Sequence, residues 1–393
     1  MKNFPVAILA LTLGAFSIGM TEFVIMGLLP NVASDLHVSI PASGQLITGY
    51  ALGVAVGGPI LTLSTGKMLR KRLLIFLMIL FVAGNLVAAV STTYGLLMTA
   101  RILTSFAHGT FFGVGAIMAA RLVPSARSAS AISFMFTGLT VANVLGVPFG
   151  TLIGNQFGWR FTFLVIAVIG LISLICIIYL VPNQAKEEAL DIKSEVAVLK
   201  KPQVLVSFAM TIFGFAGVFT AFTYISPILL QVTGFQENGV TLILVLFGVG
   251  VTIGNLVGGK LADWRLMPSI IMTLIMLIAI LLLFTVTSPF KVPAVLTIFI
   301  WGMISFILVP TLQYRTMNMA QEAPTLASTL SHSAFNLGNA GGAALGGLAI
   351  ELTKLQFVPL FGAGVTVIGL VITIISYRSD KRKIAIKAKG LSA

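Results

Sequence analysis

Apolar runs of 18 to 26 residues, separated only by short polar breaks, fill nearly the whole of this 393-residue chain. A helix needs roughly 20 apolar residues to cross hydrocarbon, whereas a membrane barrel would show alternating segments of about ten. Within a bilayer each backbone N–H and C=O must be bonded inside the spanning structure, so runs of this length read as helices. Composition closes the argument: with 58% hydrophobic and 9% charged residues, a soluble globule is excluded, because its charged fraction approaches a quarter. The chain reads as an all-α integral membrane protein with no soluble domain. Its first run is too long for a signal-peptide core and is followed at once by another, so it reads as uncleaved.

Spans are expected at 5–30, 42–64, 73–92, 95–120, 130–153, 161–181, 203–230, 239–262, 269–287, 293–315, 326–351 and 357–377, twelve in all. A net charge of +13 would suggest nucleic acid in a soluble protein, but here placement decides. With the N-terminus in the cytoplasm, Lys2, the Lys67–Arg72 group, Arg121, Arg127, the lysines of 182–202, Lys260, Arg265, Arg315 and the cluster from Arg378 to Lys389 all fall inside. Only Arg160, Lys291 and Lys354 fall outside. That asymmetry sets both termini in the cytoplasm and implies no nucleic-acid partner. Cys176, the single cysteine, lies in a span and can form no internal disulfide.

The longest break, 182–202, is polar and mixed in charge, and it separates six spans from six. The expected organisation is an N-terminal bundle over 1–181, a cytoplasmic linker over 182–202, a C-terminal bundle over 203–377 and a basic tail over 378–393. An internal repeat supports it. Pro30 is matched by Pro227, and Gly53 and Gly57 by Gly250 and Gly254, at an offset of 197; Asn143, Gly146 and Gly150 are matched by Asn339, Gly342 and Gly346 at 196. Six crossings between equivalent helices make the repeats parallel, related by an axis along the membrane normal. Glycines at every fourth position in the second and eighth spans, with Asn143, Gly146, Gly150, Asn336 and Asn339 in the fifth and eleventh, form small faces. These are expected either as static packing or as a sliding seam between the halves. Pro148 lacks an N–H and loosens the fifth span locally.

Among the acids, only Glu22 lies well inside a span. A carboxyl in hydrocarbon is expensive, and groups that bear such a cost face a bundle interior or a water-filled path. Glu22 sits eight residues before Pro30, roughly 12 Å below the outer end, and is the expected proton site. Arg101, seven residues after Tyr94, lies roughly 10 Å below the same face and is its candidate partner; alternatively, it caps backbone carbonyls and ties helices together. On its helical stripe follows His108, either a proton relay or a satisfied buried histidine. His332, near the start of the eleventh span, is a candidate gate residue. Phe219, Phe222, Tyr224 and Trp301 are expected to form an aromatic wall for amphipathic substrates.

The stretches TEFVIMGLLP (21–30), SIPASGQLITGYALGVAVGGP (39–59), RILTSFAHGTFFGVGA (101–116), GLTVANVLGVPFG (138–150), GWRFTF (158–163), GGKLADW (258–264) and AFNLGNAGGAALGG (334–347) together resemble the major facilitator superfamily along essentially the whole chain. Within it the chain is similar to the twelve-span drug–proton antiporters, above all the bacterial sugar-efflux, arabinose-polymer and chloramphenicol-resistance-type exporters. The resemblance implies that Arg101 is the arginine of the fourth-helix motif, that Glu22 is the first-helix acid of coupling, and that Gly146 and Pro148 belong to the fifth-helix antiporter signature. The loop signature Gly-x-x-x-Asp-Arg-x-Gly-Arg-Lys is degraded here to TLSTGKMLRKR, while Gly259 to Asp263 followed by Arg265 keeps more of it in the second half. A latch of the outward-open state would then rely on Asp263.

The expected function is proton-coupled export of a small amphipathic or sugar-like compound from the cytoplasm across a bacterial inner membrane. Uptake by symport and export of purine nucleosides are the alternatives. An enzyme is not expected, since HExxH, paired acids and Cys/His clusters are absent from the sequence, and a channel would be expected to carry a filter loop. No cofactor or metal is implied, and two halves in one polypeptide make a monomer the expected state.

Overall fold

The computed structural model describes residues 5–65, 68–124, 127–183, 201–320 and 324–388. Most of the expected linker (184–200), Lys2, Lys67 in the degraded loop signature and the last five residues of the tail lie outside the described residues. Among those described there is no strand.

The helices are α1 (Val6–Asp35), α2 (Ile40–Ser64), α3 (Arg70–Ala89), α4 (Tyr94–Arg121), α5 (Ser128–Val141), α6 (Val147–Phe157), α7 (Trp159–Leu180), α8 (Pro202–Phe222), α9 (Glu237–Thr287), α10 (Lys291–Met319), α11 (Pro324–Leu352) and α12 (Val358–Ala388). Ten helical segments among the described residues are long and apolar enough to cross a membrane. One of these joins α5 to α6 through a π-helical turn at Ala142–Gly146. The turn sits just ahead of Pro148, whose missing N–H leaves the ladder free to widen there. A second π-helical turn, Ile228–Val232, follows Pro227.

Several expected boundaries move. Pro30 does not close the first helix, which continues to Asp35. The eighth and ninth spans form one 51-residue run, broken at Arg265, where φ −149 and ψ 79 leave the helical region. The last helix extends to Ala388, through much of the expected tail. α11 is rich in Ser, Asn and Gly, which lowers its hydropathy and keeps it outside the ten apolar segments.

α1 lies at the centre of the first group, against α5, α6, α7, α2 and α4; α8 packs on α10, α11 and α12, and α9 on α10 and α12. α1 and α4 are antiparallel, since Gly14 faces Phe111 while Thr21 meets Arg101. The glycines of the small faces meet neighbours inside each group, but the helices that carry them do meet across the groups, α2 against α11 and α5 with α6 against α9. A Cβ on Gly53 or Gly57 would strike Ser105 or Phe106 of α4, and one on Gly250 or Gly254 the backbone of α10 around Met303. Gly146 and Gly150 likewise face Met20 of α1. These glycines let neighbours within each group approach closely. Contacts between the groups include Gly248 of α9 against the backbone of Val144 and of Asn143, one of the expected seam residues, Gly44 of α2 against Tyr224, and Gly347 of α11 near Gln45.

Candidate functional site

The carboxyl group of Glu22 points into the helix cluster, not toward lipid. Glu22 is 7% exposed and is the only acid buried among the described residues. It lies mid-helix in α1, where Gly19 and Gly27 let α1 sit against Leu139 and Thr151. The nearest basic side chain is His108 of α4, with Nδ1 3.9 Å from Oε2. That separation gives an electrostatic contact and is too long for a hydrogen bond.

Arg101 is brought to Glu22, yet not to its carboxylate. Its Nη1 donates to the Thr21 carbonyl at 2.5 Å, and Nη2 lies 3.5 Å from the Glu22 carbonyl. The guanidinium sits 4.0 Å from the centroid of the Tyr50 ring, a cation–π contact that partly offsets its desolvation. Nε finds no partner among the described residues. Arg101 therefore holds the main chain of α1 around Glu22, as in the capping alternative. One residue away from Glu22, Thr21 donates from Oγ1 to Asn85 Oδ1 of α3 at 2.6 Å.

His108 is the node of the cluster. Besides Glu22, it meets the Tyr50 hydroxyl, 3.1 Å from Nδ1. Its ring lies 5.2 Å from that of Phe112, which stacks in turn on Phe136 and on His332 of α11. Phe112, Phe136 and His332 line a cavity of about 340 Å³, together with Gly113, Ala116, Gln313, Ser328 and Arg121. A line of rings thus leads from the cavity to Glu22.

Of the four residues expected to form an aromatic wall, Phe219, Phe222 and Trp301 lie in one packed ring cluster. Phe222 stacks on Phe247 at 4.3 Å, and Trp301 meets Phe222, Phe247 and Phe284. Phe219 stands 6.2 Å from Phe23 of α1, and Tyr224 donates to the Ala343 carbonyl at 3.0 Å. None of these four lines the cavity described above, although the Trp301 indole N–H is buried without a partner. Asn143 and Asn336 donate to the carbonyls of Leu139 and His332 on their own helices. Asn336 and Asn339 each keep a buried side-chain oxygen without a partner. Asp263 and Arg265 are exposed at the break in α9, where Arg265 covers the Trp264 ring, and no described residue pairs with Asp263.

Sequence reasoning passed over Tyr50, which follows Gly49 on α2. It also placed Arg315 and Asp380 in cytoplasmic segments. In the structure Arg315 is 5% exposed within α10 and pairs with Asp380 of α12 at 2.6 Å. A further pair, Arg160–Asp35 at 2.7 Å, joins the ends of α7 and α1, assisted by the Trp159 indole N–H donating to Asp35. Among the described residues no three His, Cys, Asp or Glu side chains converge as a metal site.

An all-helical bundle of this kind, with an interior cavity and buried charge, defines a multi-pass membrane protein. Residues 11–331 match the model of the Major Facilitator Superfamily. The chain is 44% identical over 385 residues to the inner membrane transport protein YdhP of Escherichia coli O157:H7, covering 98% of each. It is 41% identical over 376 residues to the uncharacterized MFS-type transporter YtbD of Bacillus subtilis (strain 168), covering 94% of each. The solved structure of a D-xylose-proton symporter superposes with a TM-score of 0.73 at 15% identity, over 93% of this chain and 96% of that one, a likeness of fold. The chain belongs to the Major Facilitator Superfamily and is a membrane transporter, which implies a small-molecule substrate and a lipid bilayer.

Proposed function

We propose that this transporter exports a small amphipathic or sugar-like compound in exchange for protons, by alternating access of two parallel six-helix halves, 1–181 and 203–377. In this reading α5 with α6 forms one crossing and α9 forms two, hinged at Arg265, which makes twelve with both termini in the cytoplasm of a bacterial inner membrane. The observation that carries proton coupling is Glu22: the only buried acid among the described residues, 3.9 Å from His108 and without a direct ion pair to Arg101. A carboxyl so placed can take up and release a proton without breaking a salt bridge, and its charge alters how α1, α2 and α4 pack. The cavity beside His332 lies toward the Arg121 end of α4, while Gly44 and Tyr224 pack together toward the opposite end. This arrangement supports a cytoplasm-open state, in which Asp263, unpaired among the described residues, is an open latch.

The test is transport by purified protein in liposomes. Ethidium, chloramphenicol and arabinose, first screened for binding by thermal shift, serve as probes. The wild type accumulates a bound probe only when a pH gradient is imposed, and probe addition moves protons across the membrane. A bound probe that moves with no proton movement and no dependence on the gradient overturns the proposal.

A further inference from the structure

We infer that Tyr50 is a positioning residue for proton coupling, because its hydroxyl competes with the protonated carboxyl of Glu22 for the single lone pair on His108 Nδ1. The inference rests on the proposal that Glu22 is the proton site.

His108 Nδ1 faces two groups, Tyr50 Oη at 3.1 Å and Glu22 Oε2 at 3.9 Å. Only the first is within hydrogen-bond distance. The direction of that bond follows from its surroundings. Tyr50 is 1% exposed, and its hydroxyl has no other partner among the described residues, so a donated N–H from His108 would leave the phenolic hydrogen buried without an acceptor. The Arg101 guanidinium over the Tyr50 ring withdraws charge from the phenol and strengthens it as a donor. Tyr50 O–H therefore donates to Nδ1, and His108 is neutral with its hydrogen on Nε2.

Ionised Glu22 can only accept hydrogen bonds, so it makes no claim on Nδ1. Once protonated, it becomes a donor within about an ångström of bonding distance to the same lone pair. Nδ1 can accept one of the two. Proton arrival thus frees the Tyr50 hydroxyl, and the change is felt in α2, where Thr48 Oγ1 lies 3.5 Å from the Ala340 carbonyl of α11. The charged and titratable groups around this lone pair are Glu22 on α1, Tyr50 on α2, Arg101 on α4 and, beyond Phe112, His332 on α11.

The chain has three histidines, so ¹⁵N-histidine spectra of the full-length protein in nanodiscs resolve the site, with His37→Gln and His332→Gln for assignment. The wild type is expected to show an acid transition of the His108 Nδ1 resonance that disappears in Glu22→Gln. In Tyr50→Phe the competitor is gone, and the transition is expected at higher pH by about one unit, the worth of one hydrogen bond. An unmoved transition, or one displaced to lower pH, overturns the role of Tyr50 and leaves Glu22 as the proton site. A transition that persists in Glu22→Gln overturns Glu22 itself. Should Tyr50→Phe fail to fold, Glu22→Gln decides: its amide N–H should displace Tyr50 at every pH, and a His108 resonance identical to that of the wild type at neutral pH overturns the competition.

Discussion

Two charge sites among the helices, one around a buried acid and one around a buried arginine, answer the same problem in opposite ways. Between α10 and α12, Arg315 meets Asp380 directly at 2.6 Å, with Ser376 accepting a second hydrogen bond from the same nitrogen at 3.2 Å. Around α1, Arg101 spends its guanidinium on backbone carbonyls and the Tyr50 ring and makes no ion pair with the Glu22 carboxylate. A closed pair fixes two helices and holds its charges where they are. An acid that shares its neighbourhood with an arginine, yet makes no bond to it, remains able to change charge. The first geometry suits a structural tie, the second the coupling role proposed for Glu22.

The largest effect is expected from Glu22→Gln. Gradient-driven accumulation in proteoliposomes should fall to the level without a gradient, while exchange of the same probe across the membrane persists. Asp380→Ala should act on the other axis. It leaves the buried Arg315 without its partly exposed partner, a loss of about 1–3 kcal/mol, read as a lower unfolding midpoint in denaturant, with coupling retained in whatever folds. The double variant Arg315→Leu/Asp380→Ala should recover most of that loss, since apolar replacements of buried pairs are near neutral. If Asp380→Ala uncouples transport at full stability, the two sites are not different in kind.

A smaller effect separates packing within a proposed half from packing between halves. A Cβ at Gly248 falls 2.8 Å from both the Asn143 carbonyl oxygen and Val144 Cα, which are backbone atoms and cannot turn aside. Gly248→Ala should cost about 1–3 kcal/mol and also raise maleimide labelling of a cysteine placed at Gln45, in a Cys176→Ser background. Gly254→Ala, which meets the Met303 backbone of α10, should lower stability without altering that labelling. Equal labelling in both variants would remove the seam assigned to Gly248.

Much of the helical frame was legible because the apolar runs obey one length requirement. Glu22 and Arg101 were legible because charge in hydrocarbon is rare and needs a reason. What the runs conceal is direction around the helix. Gly53 and Gly250 carry the right spacing for a close approach, but spacing does not name the partner, and both face helices of their own group. Tyr50 was hidden for the same reason, since its partners on α4 lie more than fifty residues away in sequence. Arg315 and Asp380 were missed because each lies near a polar break, where basic residues were counted as orientation signals. The helix beyond Tyr377 carries Asp380 back against α10, and no local pattern announces that pairing.

The smallest effect bears on whether the coupling cluster ends at His108. His332 belongs to the other proposed half and stacks on Phe136 at 6.0 Å with the rings within 8° of parallel, and on Phe112 at 6.1 Å. If its ring serves only as a flat contact across the cavity, His332→Phe keeps the stack and should alter stability by less than about 0.5 kcal/mol, with gradient-driven transport intact. His332→Ala loses both ring contacts and should cost about 1–2 kcal/mol, again without uncoupling. If His332→Phe instead uncouples transport as Glu22→Gln is expected to do, His332 carries the proton onward from the cavity. The coupling site would then span both halves, because a phenyl ring replaces every property of that imidazole except its two nitrogens.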